Sequence, residues 1–251
     1  MERDQTTSYS QNLSIDPAKI TWISGTVAAV LVLISAVMQL LYFLGDHTNM
    51  FGLLPYFDVD QERNIPTFYA VALLLFAALL LSLITALEKK QKAYRSWMWG
   101  VLAAGFLLLA MDELVSIHEK LIAPMRNFLG MEKLGIFYYG WIVPGLIIIL
   151  AAGFFFLRFW LRLPKKTRNR FAIAAVVYVG GAIFMEMVGG SYAEKNGNEN
   201  LIFNMLATVE ESLELAGVIL FIHTLFGYIA DTYGEIRFRL VEGGRMGSNT
   251  S

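Results

Sequence analysis

The segment LIFNMLATVEESLELAGVILFIHTLFGY, residues 201–228, is long and apolar enough to cross a membrane as a single helix. Three glutamates, Glu210, Glu211 and Glu214, nevertheless lie inside it. A carboxylate at mid-membrane costs about 2.5–3.5 kcal/mol on insertion scales. A chain that keeps three of them in one helix must relieve that cost, and the way it does so bears on its function.

The composition places the whole chain in the membrane class. Of its 251 residues, 56% are hydrophobic, and they occur in long apolar runs. The absence of cysteine excludes disulfides, thiolate metal sites and a cysteine nucleophile. Residues 1–16 are polar and contain acids, unlike a secretory signal peptide, so we expect the first apolar run to remain as a membrane anchor.

Six apolar segments of about 20 residues predict an all-α, polytopic fold with six transmembrane helices. They cover residues 20–45, 67–87, 96–120, 137–160, 171–192 and 201–228. Asp16 and Pro17 have the residue types of an N-cap and a first helical position, and Pro144 predicts a kink in the fourth helix. The expected organisation is a polar tail (1–16), a six-helix membrane domain (17–228) and a second tail (229–251).

The basic residues predict the orientation of the chain in the membrane. Fifteen of the 20 lysines and arginines lie in or beside the two tails, in the loop after the second helix, or in and beside the loop after the fourth helix. Cytoplasmic loops carry the excess of positive charge in membrane proteins. We therefore expect both termini to lie in the cytoplasm.

Six acidic residues lie inside the predicted helices, whereas the basic residues lie at helix ends, in loops or in tails. The acids are Asp112 and Glu113 in the third helix, Glu186 in the fifth, and Glu210, Glu211 and Glu214 in the sixth. Unrelieved, they would cost on the order of 15–20 kcal/mol, which exceeds a folding stability of about 5–15 kcal/mol. Protons, a bound cation or a water-filled cavity must therefore offset the cost.

Helical geometry places these acids at one level. A rise of 1.5 Å per residue puts Asp112 and Glu186 in the outer halves of their helices, and Glu210 about nine residues from the outer end of its own. The acids of the sixth helix share one face, and the fifth helix is predicted to present a narrow stripe made of Ala175, Ala182, Glu186 and Gly190. We expect these polar faces to point at one another.

Carboxylates and a histidine at one level suit a hard or borderline divalent cation. We predict a site for Zn²⁺, Fe²⁺, Mn²⁺ or Ca²⁺ formed by Asp112, Glu113, His118, Glu186, Glu210, Glu211 and Glu214. His118 lies about 120° from Asp112 around a helix, so it joins the site only if the helix ends or bends between them. The spacing matches neither the Glu-x-x-His pairs of di-iron bundles nor the His-Glu-x-x-His motif of zinc proteases.

Simpler interpretations of the acids stay open at this point. In one, Glu113, His118 and Glu119 mark the outer end of a shorter third helix and face water. In another, the glutamates of the sixth helix are protonated and hydrogen-bond across helices to Asn204, Thr208 or Ser116.

Two further features are predicted from residue type alone. The loop acids Asp58, Asp60 and Glu62 are expected to be solvated rather than to form a cation site or a lid. Gln39, in the first helix, is expected to make an interhelical hydrogen bond.

Three stretches resemble a family of uncharacterised bacterial multi-pass membrane proteins. They are FDVDQERNIPTFYAVALLLFAALLL (57–81), MDELVSIHEKL (111–121) and VEESLELAGVILFIHTL (209–225), with an acidic NIP loop, a DE…HE helix and an EE…E final helix. The resemblance covers the second, third and sixth helices. It implies a location in a bacterial inner membrane and no particular activity.

Three classes of function fit these features. A metal-dependent membrane enzyme would act on a lipid-borne or small-molecule ligand from the outer side. A cation- or proton-coupled transporter would bind and release the ion at the acids. A non-catalytic assembly subunit would keep the acids protonated and inert. The lipid bilayer is the expected partner, and no nucleic-acid motif is present.

Overall fold

A computed structural model describes residues 16–45, 52–94, 96–130 and 133–234, so the predicted tails outside residues 16–234 are not described. The described chain is helical, and six of its helices are long and apolar enough to span a membrane, which confirms the predicted fold class. They are α1 (Pro17–Leu44), α3 (Ile65–Lys90), α4 (Trp97–Val115), α7 (Ile142–Arg162), the continuous helix Lys165–Asn196 and α10 (Leu201–Tyr233).

Short helices complete the connections between the spans. They are α2 (Leu54–Phe57), α5 (Ile117–Lys120), α6 (Ile122–Leu129) and a 3₁₀ turn at Gly135–Phe137. The fifth span consists of α8 (Lys165–Val179), a π-helical segment (Gly180–Met185) and α9 (Glu186–Asn196).

Helix α10 is the centre of the bundle. It packs against α1, α3, α8 and the π segment, and its buried core residues are mainly aliphatic in its second half, including Leu215, Val218, Ile222 and Leu225. Thr21, at the start of α1, hydrogen-bonds to His223, near the end of α10, at 2.9 Å. The first span therefore begins where the last one ends. We call this end of the bundle the terminal side and the opposite end the loop side.

The helix starts follow ordinary capping chemistry. Asp16 Oδ1 accepts a hydrogen bond from the Ala18 amide at 2.9 Å, with Pro17 at the first position, which confirms the predicted N-cap. Pro144 falls in the first turn of α7, where a backbone N–H is not needed. The predicted kink is wrong, because the helix begins at Ile142 rather than near residue 137.

The third span is shorter than predicted. Helix α4 ends at Val115, and Ser116 adopts a left-handed conformation with φ 52° and ψ 55°. A left-handed residue stops an α-helix, so α5 starts in a new direction. The residues from Ile117 onward therefore do not continue the face that the sequence pattern assigned to them.

The fifth span changes its register at the π segment. A π turn inserts a residue and rotates everything that follows relative to an ideal α-helix. Ala174 is buried before this segment while Ala175 is exposed, and Gly181 is buried within it. The predicted stripe that joined Ala175 to Glu186 is therefore wrong, because it assumed a regular helix throughout.

A layer of aromatic rings lies between the acids and the terminal side of the bundle. The rings of Phe106 and Phe221 stack with centroids 4.6 Å apart, and those of Phe171 and Phe221 at 4.9 Å. Phe221 follows Glu214 by seven residues, which corresponds to about 10 Å along α10. The layer therefore separates the acids from the terminal side.

The terminal side holds a buried acid that the sequence reasoning missed. Glu88 Oε1 accepts hydrogen bonds from the hydroxyls of Tyr228 at 2.6 Å and Tyr233 at 2.7 Å. Glu88 lies on the last turn of α3, beside the basic residues Lys89 and Lys90. The contact joins the end of α3 to the end of α10.

Candidate cation site on the loop side

The break at Ser116 brings His118 back to Asp112. Asp112 Oδ1 accepts from the His118 amide at 2.9 Å, and Oδ2 lies 2.8 Å from the ring Nδ1. Burial lowers the pKa of His118, but the hydrogen bond and the charge of Asp112 outweigh it and, with Glu186 and Glu119, raise it to about 9. His118 is therefore protonated at neutral pH and forms an ion pair with Asp112.

Trp141 connects this ion pair to the fifth span. The rings of His118 and Trp141 lie 5.0 Å apart between centroids, and Trp141 Nε1 donates to Glu186 Oε1 at 3.0 Å. The Glu186 carboxyl also lies within hydrogen-bonding reach of Glu210 on α10. Two carboxylates this close repel each other, so a proton or a cation between them would stabilise the pair.

Two glycines bring the fifth span against the acidic face of α10. A Cβ on Gly181 would lie 2.7 Å from the Glu210 carbonyl oxygen, and one on Gly217 would lie 2.7 Å from the Tyr178 backbone nitrogen. The helix backbones are therefore almost in contact at both points. This packing sets Tyr178 within hydrogen-bonding reach of Glu214.

The remaining helical acids face the loop between α1 and α3. Glu113 interacts electrostatically with Glu62, and Glu211 interacts with Glu113 and Asp60. The loop acids thus lie near the acids of the helices.

The acidic loop is anchored to α1 by buried polar side chains. Gln39 is 1% exposed, and its Nε2 donates to Asp58 Oδ1 at 2.5 Å. Ser35 Oγ accepts from the Val59 amide at 3.0 Å, and the Asn64 side chain donates to the Asp58 carbonyl. The expectation of a solvated loop is therefore wrong for Asp58, which is buried, because polar residues of α1 provide partners for it.

Gln39 also makes the interhelical hydrogen bond predicted for it. Its Oε1 accepts from the Thr208 hydroxyl of α10 at 3.4 Å. The loop, α1 and α10 are therefore joined through one amide side chain.

The pKa values of the loop acids Asp60 and Glu62 are raised, mainly by burial. Burial, followed by the charges of Asp58, Glu186 and Glu119, raises the pKa of Asp60 to about 7. Burial also raises the pKa of Glu62, which the Ser116 hydroxyl partly lowers. The Asp60 residue is nevertheless exposed to solvent, so water screens part of this effect.

Eight carboxyl groups belong to this acidic cluster: Asp60, Glu62, Asp112, Glu113, Glu186, Glu210, Glu211 and Glu214. In the described part of the chain, no lysine or arginine forms an ion pair with any of them, and His118 is the only cationic partner. The loop acids Asp60 and Glu62 were not among the predicted site residues. The acidic spacing of FDVDQERN was the available signal, but it does not show which way a loop folds.

The simpler interpretations account for some residues and not for others. Glu119 is exposed, as expected at the end of a helix. Thr208 donates to the Asn204 carbonyl and to Gln39 rather than to a glutamate of α10. Glu119 faces water and Thr208 makes no hydrogen bond to a glutamate of α10. Neither residue therefore offsets the negative charge of the cluster.

The residues in their present positions do not form a ready metal site. Among the described residues, no group of three His, Asp or Glu side chains has an arrangement that would hold a metal ion. Both oxygens of Asp112 bond to His118, and Glu186 bonds to Trp141. A divalent cation would therefore require these side chains to exchange partners, and the seven-residue metal site stays a prediction.

Comparison with known proteins places the chain in a family. Residues 25–229 match the model of a family described as a domain of unknown function, DUF8692. The chain belongs to the DUF8692 family. The match covers most of the membrane domain, including the acidic loop and all three acid-bearing helices of this DUF8692 protein. No curated protein and no solved structure matches it.

Proposed function

We propose that this DUF8692 protein is a cation- or proton-coupled membrane transporter that binds its ion at the acidic cluster. The observation that carries the proposal is the imbalance of charge: eight carboxyl groups meet one histidine and, among the described residues, form no ion pair with lysine or arginine. Protons or entering cations must cancel the remaining charge. Intramembrane acids with exchangeable counter-ions are typical of ion-coupled transporters.

The distribution of polar groups along α10 supports transport. The acidic cluster lies toward the loop side, Glu88 with its two tyrosines lies at the terminal side, and the aromatic layer separates them. Alternating access requires a site that is open on one side while an apolar layer closes the other. The π segment beside Glu186 is a position where the fifth span can bend.

The same proposal includes an orientation. The excess of lysine and arginine in the tails and in two loops supports cytoplasmic termini, which makes the loop side the outer side of a bacterial inner membrane. The ion would then enter from outside the cell, beneath the loop that carries Asp60 and Glu62.

A metal-dependent membrane enzyme is the second candidate, and one observation favours it. Glu62 Oε2 is buried and has no hydrogen-bond partner among the described residues. A carboxylate oxygen in that state, beside other carboxylates, suits Zn²⁺, Fe²⁺, Mn²⁺ or Ca²⁺. The substrate would be a lipid-borne or small molecule that reaches the cluster from the loop side.

Ion flux into proteoliposomes tests the leading proposal. The purified protein is reconstituted with a trapped pH-sensitive dye, and a proton or Mn²⁺ gradient is imposed. We expect flux with the wild type and with Glu199→Gln, which changes an exposed acid outside the cluster. We expect none with Glu211→Gln. Equal flux for wild-type, Glu211→Gln and empty vesicles would overturn the transporter proposal.

Elemental analysis of the purified protein separates the second candidate from the first. Stoichiometric metal that survives purification in the wild type and is lost in Glu62→Gln and Asp112→Asn would favour the enzyme. Weak, exchangeable ions would favour the transporter. A metal-free, flux-free wild type whose stability is unchanged by Glu211→Gln would indicate the non-catalytic assembly role instead.

A further inference from the structure

A groove outside the acidic cluster runs along an exposed face of the fifth span. Its volume is about 380 Å³, and its lining includes Phe184, Val188, Ser191, Tyr192, Lys195 and Asn196. No member of the acidic cluster lines it. The volume lies within the range of small-molecule sites, about 300–1,000 Å³.

The lining changes from apolar to polar along the helix axis. Phe184 and Val188 lie at one end, and Lys195 lies at the other, at the last turn of α9. The 12 residues from Phe184 to Lys195 span about 16 Å, which is close to half of the roughly 30 Å hydrocarbon thickness of a bilayer. The groove therefore has the length of one lipid leaflet, with its polar end at the membrane surface.

The polar end presents one uncompensated positive charge. The neighbouring Glu194 turns away from it, because its Oε1 accepts from the Leu134 amide at 2.7 Å and its Oε2 from the Gly135 amide at 3.1 Å. Within the ranges that the structure describes, no carboxylate lies within 4 Å of the Lys195 ammonium group. Lys195 is therefore free to bind an anion from outside the chain.

Hydrogen bonds hold the rest of the polar end in place. The Tyr192 hydroxyl donates to Asn200 Oδ1 at 3.1 Å, and Asn196 Nδ2 donates to the Tyr192 carbonyl at 3.2 Å. Ser191 lines the groove one helical turn before Lys195 and adds a hydroxyl donor.

We propose that this groove binds one anionic phospholipid from the leaflet on the loop side. The phosphate lies against Lys195 and Ser191, and one acyl chain runs along Val188 and Phe184. An ammonium group at the surface attracts anionic headgroups, and its alkyl stem covers apolar surface. A soluble anion would leave the apolar half of the groove unfilled, and a transmembrane helix from a partner would be about twice its length.

The proposed lipid has a defined position relative to the transport path. Phe184 belongs to the π segment, which directly precedes Glu186. A lipid in the groove would contact the part of the fifth span that positions this acid, although its binding does not depend on transport.

Native mass spectrometry of detergent-purified protein, with phosphatidylglycerol or phosphatidylcholine added, tests the proposal. We expect the wild type to retain one phosphatidylglycerol in preference to phosphatidylcholine. Lys195→Gln should bind phosphatidylglycerol about five-fold more weakly, the contribution of one lysine at an anionic surface. The matched control Lys133→Gln, an exposed lysine outside the groove, should bind like the wild type.

A second pair of variants tests the acyl-chain end without changing charge. Val188→Trp fills the groove and should prevent binding, whereas Ile148→Trp, on the exposed face of α7, should not. Thermal unfolding confirms that each variant is folded. Wild-type binding by both Lys195→Gln and Val188→Trp, or equal binding of the two lipids by the wild type, would overturn the proposal.

Discussion

Asp112 and His118 form an ion pair across the end of α4, although a continuous helix would place them on different faces. The left-handed conformation of Ser116 makes the contact, because it ends the helix and returns the chain toward Asp112. The pair lies at the edge of the acidic cluster and supplies its positive charge within the described chain. Its strength therefore affects how many further cations the cluster needs.

Removing this partner should change the titration of His118. Its pKa is raised from an ordinary value of about 6.5 to about 9, so the stability that it contributes is fully present below pH 6.5 and lost as the pH rises through 9. In Asp112→Asn we expect the pKa of His118 to fall by at least about one unit. NMR titration of the three histidines measures it, with His118→Gln for assignment. Asp231→Asn, which removes an acid at the terminal side, should leave it unchanged.

Asp60 should make folding more favourable at acidic pH. Its pKa is raised to about 7, so its share of the stability is present below about pH 4 and lost as the pH rises through 7. We expect the thermal midpoint of the wild type to fall between pH 4.5 and 7.5. Asp60→Asn should show a flatter profile, while Glu199→Gln should keep the wild-type slope. Identical slopes for wild type and Asp60→Asn would show that Asp60 does not titrate with the cluster.

We expect Gln39 to contribute more to the stability of the fold than a polar side chain with a single hydrogen bond would. Gln39→Ala removes one buried hydrogen bond to Asp58 and one from the Thr208 hydroxyl, so we expect a loss of about 1–3 kcal/mol in the free energy of unfolding. Hydrogen exchange at Val59 should also accelerate as the loop loosens. The control Gln61→Ala changes an exposed glutamine and should stay within about 0.5 kcal/mol of the wild type. Equal stability of the two variants would contradict the anchoring role.

Gly217 should not tolerate a side chain. A Cβ there would lie 2.6–2.8 Å from Tyr178 atoms, including its backbone, so α8 must move. We expect Gly217→Ala to reduce stability by about 1–3 kcal/mol, measured by chemical denaturation in detergent. Gly153→Ala, which meets nothing within 4 Å, is the matched control and should be neutral or slightly stabilising. A neutral Gly217→Ala would mean that the two helices are not in close contact.

The spans and the level of the acids could be predicted because both depend on local spacing. Apolar length identifies each helix, and the rise per residue sets the depth of Asp112, Glu186 and Glu210. Helix geometry also predicts that His118 can join the acids only if the helix ends or bends between Asp112 and His118. It could not show that Ser116 ends the helix, since serine has no strong preference for a left-handed conformation.

The parts that were missed depend on contacts between distant residues. From the sequence, Asp58 is predicted to be a solvated loop acid, because its partner, Gln39, lies 19 residues earlier, on α1. From the sequence, Glu186 has no evident partner, because its hydrogen-bond donor, Trp141, lies 45 residues away. The apolar periodicity of GGAIFM does not distinguish a π-helical segment from an ordinary α-helix. The sequence therefore could not show which face of the fifth span packs against the bundle.

Proton release on cation binding tests most directly whether exchangeable positive charge neutralises the acidic cluster. Mn²⁺ or Ca²⁺ is added to purified protein in weakly buffered detergent at neutral pH, and a pH indicator counts the protons released. We expect at least one proton per bound cation in the wild type and none in the Glu210→Gln, Glu211→Gln double variant. Cation binding without proton release, or equal release from the double variant, would contradict the claim.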